Sequence, residues 1–568
     1  MPTGISGCVL VAIVDPPPLK GLDRRYQLRL GSVMQAYRKL TMVLSVDMED
    51  VKSKLKVSAL ADRAGHACAR VMTSPRFASA LLVTILVSEF SILFLNASRK
   101  PFWYDELLTF HVSSLQPFSS FWRALKAGVD GMPPGYYVLI RVARILPANP
   151  HVTLRLPSIL GYLLSLLGVY WFARKRLPAI AGLIAVVLIT LSPFRSYALE
   201  ARSYSLLVGF LAISAVLWQR IDEKRFMTPL FAVFITLAAS CHPLAVVTLS
   251  SFGAAELTWT LLSRRIRWRV WAACLLATSP FFISLPILLH YRNVFGKTFW
   301  SRPSWSMAVR TYGAYMGLDD KLAFVLILFF GLVVGDSLLR MMGQPREGMR
   351  EHEFAPPEII LVSGFLFYPA LLVVLTRLLG SGYTPRYGWP VILGLVLGSS
   401  YLVRTIWLKP SPAYLLVALL IAFAVQGGKE FRTLYKASPT RVDERWTRLA
   451  ELSSTEPSIP VVIGDPRAYL EAAQYSPPEL GDRLVEVVDA DIATRLVKSD
   501  TPDKTNRLLA QFIPLHVEDL AAFQAAHQKF ILRSGGDFDW FTQYLVEGRY
   551  HLRLLSKDAD NSLYLAER

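Results

Sequence analysis

The amino-acid sequence predicts a polytopic α-helical membrane protein of about eleven transmembrane helices, followed by a small C-terminal α/β domain. Three observations lead there. Of 568 residues, 53% are hydrophobic and only 18% charged, against roughly 25% charged in soluble globular domains. The apolar residues between 77 and 427 fall in long runs with short polar links, each about long enough to cross a ~30 Å hydrocarbon core at about 1.5 Å per residue. After residue 428 the charge content is ordinary, and short apolar runs alternate with helical patterns, as in a small α/β fold.

Residues 1–76 form a basic N-terminal segment with one apolar run, CVLVAIV at 8–14, that precedes three prolines. The run is too short to span and lacks the basic stretch of a signal peptide. Internal methionines at Met34, Met42, Met48 and Met72 make a later start or a disordered lead the expectation for this segment, which receives no function. The expected spans are 77–96, 155–173, 178–194, 203–219, 227–241, 243–263, 268–290, 321–341, 358–378, 390–407 and 411–427. YYVLIRVARIL at 136–146 carries Arg141 and Arg144 and reads as an amphipathic helix in the interface. With it excluded, the basic links at 174–176, 220–225, 264–269, 340–350 and 404–409 share one side, which positive residues mark as the cytoplasm. The expectation is a bacterial inner-membrane protein with a cytoplasmic N-terminus and domain 428–568 in the periplasm or outside the cell.

Charge and cysteines exclude other classes. Lys and Arg exceed Asp and Glu by 18, an excess that cytoplasmic loops account for, so no nucleic-acid partner is expected. Cys8, Cys68, Cys241 and Cys274 are scattered without metal-ligand spacing or a disulfide framework. The tail has no GxGxxG after its first strand, so dinucleotide binding has no support.

Polar clusters gather on the outer side. Trp103-Tyr104-Asp105-Glu106 places two carboxylates beside aromatics just beyond the first span. They read either as a general base with a neighbouring ligand or as an N-cap, Asp105, with interfacial aromatics. Asp130-Gly131-Met132-Pro133-Pro134-Gly135-Tyr136-Tyr137 reads mainly as structural punctuation. Tyr197, Glu200 and Arg202 stand in the next outer link, where the alternative to a site is an internal salt bridge. His242 occupies a tight outer turn, and Arg386 with Tyr387 follows Pro385 at another outer boundary. Arg292, Lys297 and Arg302 lie in the outer loop 291–320 with Trp300, Trp305, Tyr312 and Tyr315, which read as interface anchors or sugar platforms.

The order W-Y-D-E, PP-x-YY leading to L-R-L-P-S, Y-x-x-E-A-R-x-Y-S and P-R-Y-x-x-P resembles the bacterial GT-C fold membrane glycosyltransferases. That family is related to the protein O-mannosyltransferases and the lipid A aminoarabinose transferases. The resemblance covers about residues 77–480 and implies a polyprenyl-phosphate sugar donor used at the outer membrane face. It implies Asp105 as catalytic base with Glu106 as its neighbour and Arg386 as a ligand of the lipid phosphate; the negative charge that grows on a leaving phosphate makes Arg202, Arg292 and Lys297 further candidate donor-phosphate ligands. It further implies Glu200 and His242 as candidate ligands of a divalent metal ion, with Tyr104, Tyr136, Tyr137, Tyr197 and Tyr387 lining the substrates. The chain departs from the family where Gly131-Met132 precede the two prolines. The expected reaction is inverting transfer to a hydroxyl on a lipid, glycan or protein. The competing expectation is a multi-span transporter or lipid flippase, which predicts charges midway along broken helices.

Overall fold

The computed structural model describes residues 74–296, 298–343, 355–406, 412–436, 441–548, 550–558 and 561–568. The expectations for residues 1–73 and the candidate Lys297 fall outside them. Each expected apolar stretch contains a helix. Among the described residues six helices are long and apolar enough to cross a membrane, or seven if the bent pair Ala179–Leu191 and Pro193–Leu199 counts as one span. Shorter apolar helices, among them Tyr204–Gln219 and Met227–Cys241, complete the bundle. The helix expected in the interface runs from Pro134 to Ala143. It buries Tyr136, Tyr137 and Ile140 while exposing Val138 and Val142, and it is too short to cross.

Local chemistry sets where these helices begin and how closely they pack. Ser74 caps the first one, its hydroxyl accepting from the Phe77 amide at 3.2 Å, with Pro75 opening the helix. Helices Leu156–Arg176 and Tyr204–Gln219 cross where Gly161 meets Gly209; a Cβ on either would collide with the other helix's backbone. Small residues at such a crossing let backbones touch, and here the crossing holds the outer link 200–203 against the helix that starts beside Arg155.

Ion pairs tie each end of the bundle together. On the basic side Lys175 meets Glu223 at 2.9 Å, Arg176 meets Glu358 at 3.1 Å and Arg267 meets Asp222 at 2.9 Å, so the links expected on the cytoplasmic side are neighbours in space. Glu89, 1% exposed and midway along helix Pro75–Arg99, accepts from Arg195 at 2.7 Å and from the Tyr162 hydroxyl at 3.0 Å. Arg195 also pairs with Glu430 at 2.6 Å. Glu89 is thus a buried acid midway along a span, held by two partners.

The last apolar helix, Pro412–Lys436, runs beyond the expected boundary at 428, and helix Arg441–Ser453 leads into a six-stranded sheet. Its strands are β1 Val461–Ile463, β2 Leu484–Val488, β3 Val517–Asp519, β4 Lys529–Ser534, β5 His551–Lys557 and β6 Ser562–Glu567, in the order β3-β2-β1-β4-β6-β5. β3, β2, β1 and β4 are parallel, while β6 and β5 close the sheet antiparallel. Buried on both faces, β1 and β2 read as unbroken apolar runs apart from Glu486. Helix Thr501–Leu509 docks this domain on the membrane part. The Tyr104 hydroxyl donates to Asn506 Oδ1 at 3.3 Å, and Lys504 donates to the Val294 carbonyl at 3.3 Å.

That helix and β2 each contribute one buried acid. Glu486 accepts from Asn506 Nδ2 at 2.8 Å and Asp503 from Trp540 Nε1 at 2.7 Å, and each keeps a second buried oxygen without a partner. Burial pushes the Asp503 carboxyl up to about 8 and raises Glu486 well above its usual range. The folded protein therefore holds protons that an unfolded chain releases near pH 4. Stability from Asp503 is full below about pH 4 and declines as pH rises toward about 8, by up to about 1.4 kcal/mol per pH unit, and the raised Glu486 carboxyl acts in the same direction. The thermal midpoint is expected to fall across this window, and Asp503→Asn, which keeps the Trp540 acceptor, to flatten the fall.

Candidate active site

The site starts at a helix N-terminus. Helix Tyr104–Ser114 follows Pro101, and its cap residue is Trp103, not Asp105. The capping task belongs to Glu106, whose carboxylate reaches back to the Trp103 amide at 3.3 Å. Arg155, fully buried, grips the same carboxylate with Nε and Nη2 at 2.8 and 2.7 Å and donates to the carbonyls of Ala97, Lys100 and Pro101. Glu106 also accepts from the Ala201 amide at 2.6 Å. Glu106 is thus turned into a buried junction between the Asp105 helix and the Arg202 link; it does not line the cavity.

Asp105 faces the other way. Its carboxylate pairs with Arg386, presented by the turn Pro385–Gly388. The Arg202 guanidinium donates to the Asp105 backbone carbonyl and to the Thr109 hydroxyl, each at 3.2 Å, and to the Asp130 carboxylate at 2.8 Å. Asp130 in turn accepts from the Tyr137 hydroxyl at 2.6 Å. The segment expected to be punctuation therefore supplies a carboxylate to the site. Burial pushes the Asp105 carboxyl up, but Arg386 and Arg202 outweigh it and hold the group below its usual range. Both arginines keep a buried Nε with no partner among the described residues. Arg386 also lies 5.8 Å from the Trp103 ring and 5.9 Å from the Trp300 ring, within reach of cation–π attraction.

These groups head a cavity of about 710 Å³. One wall is apolar, with Leu108, Leu244, Phe281, Leu285, Leu289 and Leu375; the C-terminal domain forms another. Of the residues expected from sequence, Asp105, Arg202, Arg386, Arg292, His242, Tyr104 and Tyr387 line it. Glu106, Glu200, Tyr136, Tyr137 and Tyr197 do not. Tyr136 and Tyr137 are buried behind Asp130, and Tyr197 packs on Trp389 at 5.0 Å between ring centres. Sequence reasoning missed Asp130 and Tyr291, which are set only by folding, and Arg467, Asp537 and Phe538 from the C-terminal domain. The lone signals in the chain were an acid before two prolines and a Gly-Gly-Asp turn after an apolar run.

The candidate metal ligands Glu200 and His242 are not brought together with a third donor. Among the described residues no three His, Cys, Asp or Glu side chains form a metal-binding group. His242 Nδ1 accepts from the Leu244 amide at 3.2 Å, and burial beside Arg202 and Arg386 lowers its imidazole to about 3. Burial raises Glu200 to about 7, partly offset by Lys100. Asp105 and Asp130, the nearest other donors, already serve guanidinium groups. The residues present do not fit a divalent ion.

Comparison with protein-family models gives no match, and comparison with curated proteins gives none. Solved structures do match. ArnT from Cupriavidus metallidurans in the apo state superposes with a TM-score of 0.50 at 13% identity, over 86% of this chain and 97% of that one. ArnT from the same organism bound to undecaprenyl phosphate gives 0.49 at 14% identity, over 87% and 98%. The Archaeoglobus fulgidus oligosaccharyltransferase in complex with Zn and sulfate gives 0.45 at 10% identity, over 85% and 72%. With its apolar helices, small C-terminal sheet domain and near end-to-end superposition on apo ArnT, the chain is a multi-pass membrane protein with the GT-C fold of membrane glycosyltransferases.

Proposed function

We propose that this protein transfers a sugar from a polyprenyl-phosphate donor to a hydroxyl acceptor at the outer face of the inner membrane, with Asp105 as general base. The observation that carries the reading is the Asp105 carboxylate paired with Arg386 beside Arg202, which is held by the Asp105 carbonyl and the Asp130 carboxylate, each guanidinium keeping an unused buried donor at the head of a cavity with an apolar wall. A lipid phosphate asks for that combination: charge-assisted donors for the anion and an apolar surface for the chain. The acceptor oxygen attacks the anomeric carbon, its proton passes to Asp105, and the bond to the phosphate breaks on the opposite face, inverting the centre. Asp105 is parked against Arg386 before the donor arrives; the incoming phosphate gives Arg386 a second anion and leaves the carboxylate free to accept.

The transporter alternative has one observation in its favour, Glu89 midway along a span. Glu89 lies outside the Asp105 cavity and is bonded to Arg195 and Tyr162, so it supports a structural tie between the first span and its neighbours.

Radiolabelled transfer from a panel of polyprenyl-phosphate sugars to membrane extracts tests the proposal directly. Arg386→Ala is expected to lose a charge-assisted contact worth about 1.5–3 kcal/mol, seen as a rise in the donor KM of about ten- to a hundredfold. Arg386→Lys, which offers a point charge in place of two parallel bonds, should fall between. Absence of transfer from every polyprenyl-phosphate donor, with transfer from a nucleotide sugar instead, would overturn the reading.

A further inference from the structure

The C-terminal domain carries a crevice that the transfer site does not need for its donor. The chain leaves β1 for β2 on one side and pairs β4 on the other, so the carboxyl ends of β1 and β4 diverge at a topological switch point, where open α/β sheets bind ligands. The backbone there is kept bare. Gly535 and Gly536 have φ of 139° and 102°, a region that L side chains rarely enter. A Cβ on Gly536 would strike Asp465, and one on Gly464 would strike Asp539.

The side chains at this point face the cavity headed by Asp105. Arg467 follows β1, lies 4.4 Å over the Phe538 ring and pairs with Asp465 at 2.8 Å and with Asp537 at 3.4 Å. The Asp537 side chain is 89% exposed, so its oxygens are available. Arg467, Asp537 and Phe538 all line the cavity. Charge divides the two ends. Around Asp105 the Arg386 and Arg202 guanidinium groups pair with Asp105 and Asp130 and each keeps an unused buried Nε for an anion; at the crevice the Arg467 guanidinium is already shared by two carboxylates, Asp465 and Asp537.

Resting on the transferase reading above, we infer that this switch-point crevice is the acceptor subsite and that its ligand is a neutral, hydroxyl-rich glycan. Asp537 accepts from sugar hydroxyls, Arg467 donates to them, and the Phe538 face packs on the C–H face of a pyranose or furanose ring. The lipid phosphate stays at the cationic end, and the glycan hydroxyl reaches the anomeric carbon beside Asp105, where its proton is taken.

The test is saturation-transfer NMR on the full-length protein in nanodiscs, with neutral trisaccharides of mannose, glucose, galactose and arabinose, beside a separate measurement of undecaprenyl phosphate binding. At least one trisaccharide is expected to bind. Phe538→Ala and Asp537→Ala should weaken it tenfold or more, Asp537→Asn less, and all three should bind undecaprenyl phosphate as the parent does, which also reports that they fold. Failure of every trisaccharide to bind, or equal binding by parent and both alanine variants, would overturn the crevice assignment. Because binding is read without turnover, a protein that binds trisaccharide yet transfers no sugar would sink the transferase reading while keeping the crevice.

Discussion

Asp105→Asn is expected to lower sugar transfer by about 10²–10⁴-fold, the usual loss when a general base is removed, with membrane insertion and donor binding intact. The amide has the shape of the carboxylate and can still accept from Arg386, so the surrounding structure has little reason to move; what disappears is the capacity to take a proton. Arg386 and Arg202 overcome burial and keep Asp105 ionised below the usual carboxylate range, so its acid limb in the pH–rate profile should lie below that range. Falling pH then removes activity only once this depressed carboxyl protonates. Single-turnover rates on purified enzyme check both points. A variant with near-parental turnover would leave the Asp105 carboxylate as a partner for Arg386 and nothing more.

The second large effect concerns a residue that the cavity never sees. Glu106→Gln leaves the Arg155 guanidinium buried with its carbonyl contacts but without its counter-charge, and breaking one partner of a buried ion pair costs about 3–5 kcal/mol. Because Glu106 also holds the Ala201 amide, the loss should loosen the Asp105 helix and the Arg202 link together. The expected result is a lowered thermal midpoint and reduced accumulation in the membrane, beyond any change in chemistry. The double change Glu106→Gln with Arg155→Met removes both charges and should restore part of the stability, less the cost of the three carbonyls that Arg155 no longer reaches. If Glu106→Gln were as stable as the parent but inactive, Glu106 would take part in the reaction itself.

What was legible in the chain follows from what each kind of information depends on. The helices were readable because a bilayer demands long apolar segments whose backbone bonds are satisfied internally, a one-dimensional requirement written directly into composition. The gathering of Asp105, Arg202, His242 and Arg386 at the ends of apolar runs was readable for the same reason: a charge at the end of such a run has one place to go. The expected span 178–194 is not one straight helix, because the chain bends by 67° between Ala179–Leu191 and Pro193–Leu199, at a proline. Which of two adjacent acids serves chemistry was decided by tertiary structure alone. Successive helix positions point about a hundred degrees apart, so Asp105 meets Arg386 while Glu106 meets Arg155, which follows in the chain only after a long loop. Asp130, Arg467 and Asp537 came into the cavity by the same route, through partners distant in sequence. The chain by itself determined a membrane bundle with a charged outer face; the pairing of its charges across distant segments, which needs the folded geometry to bring opposite signs within about 3 Å, decided what that face can do.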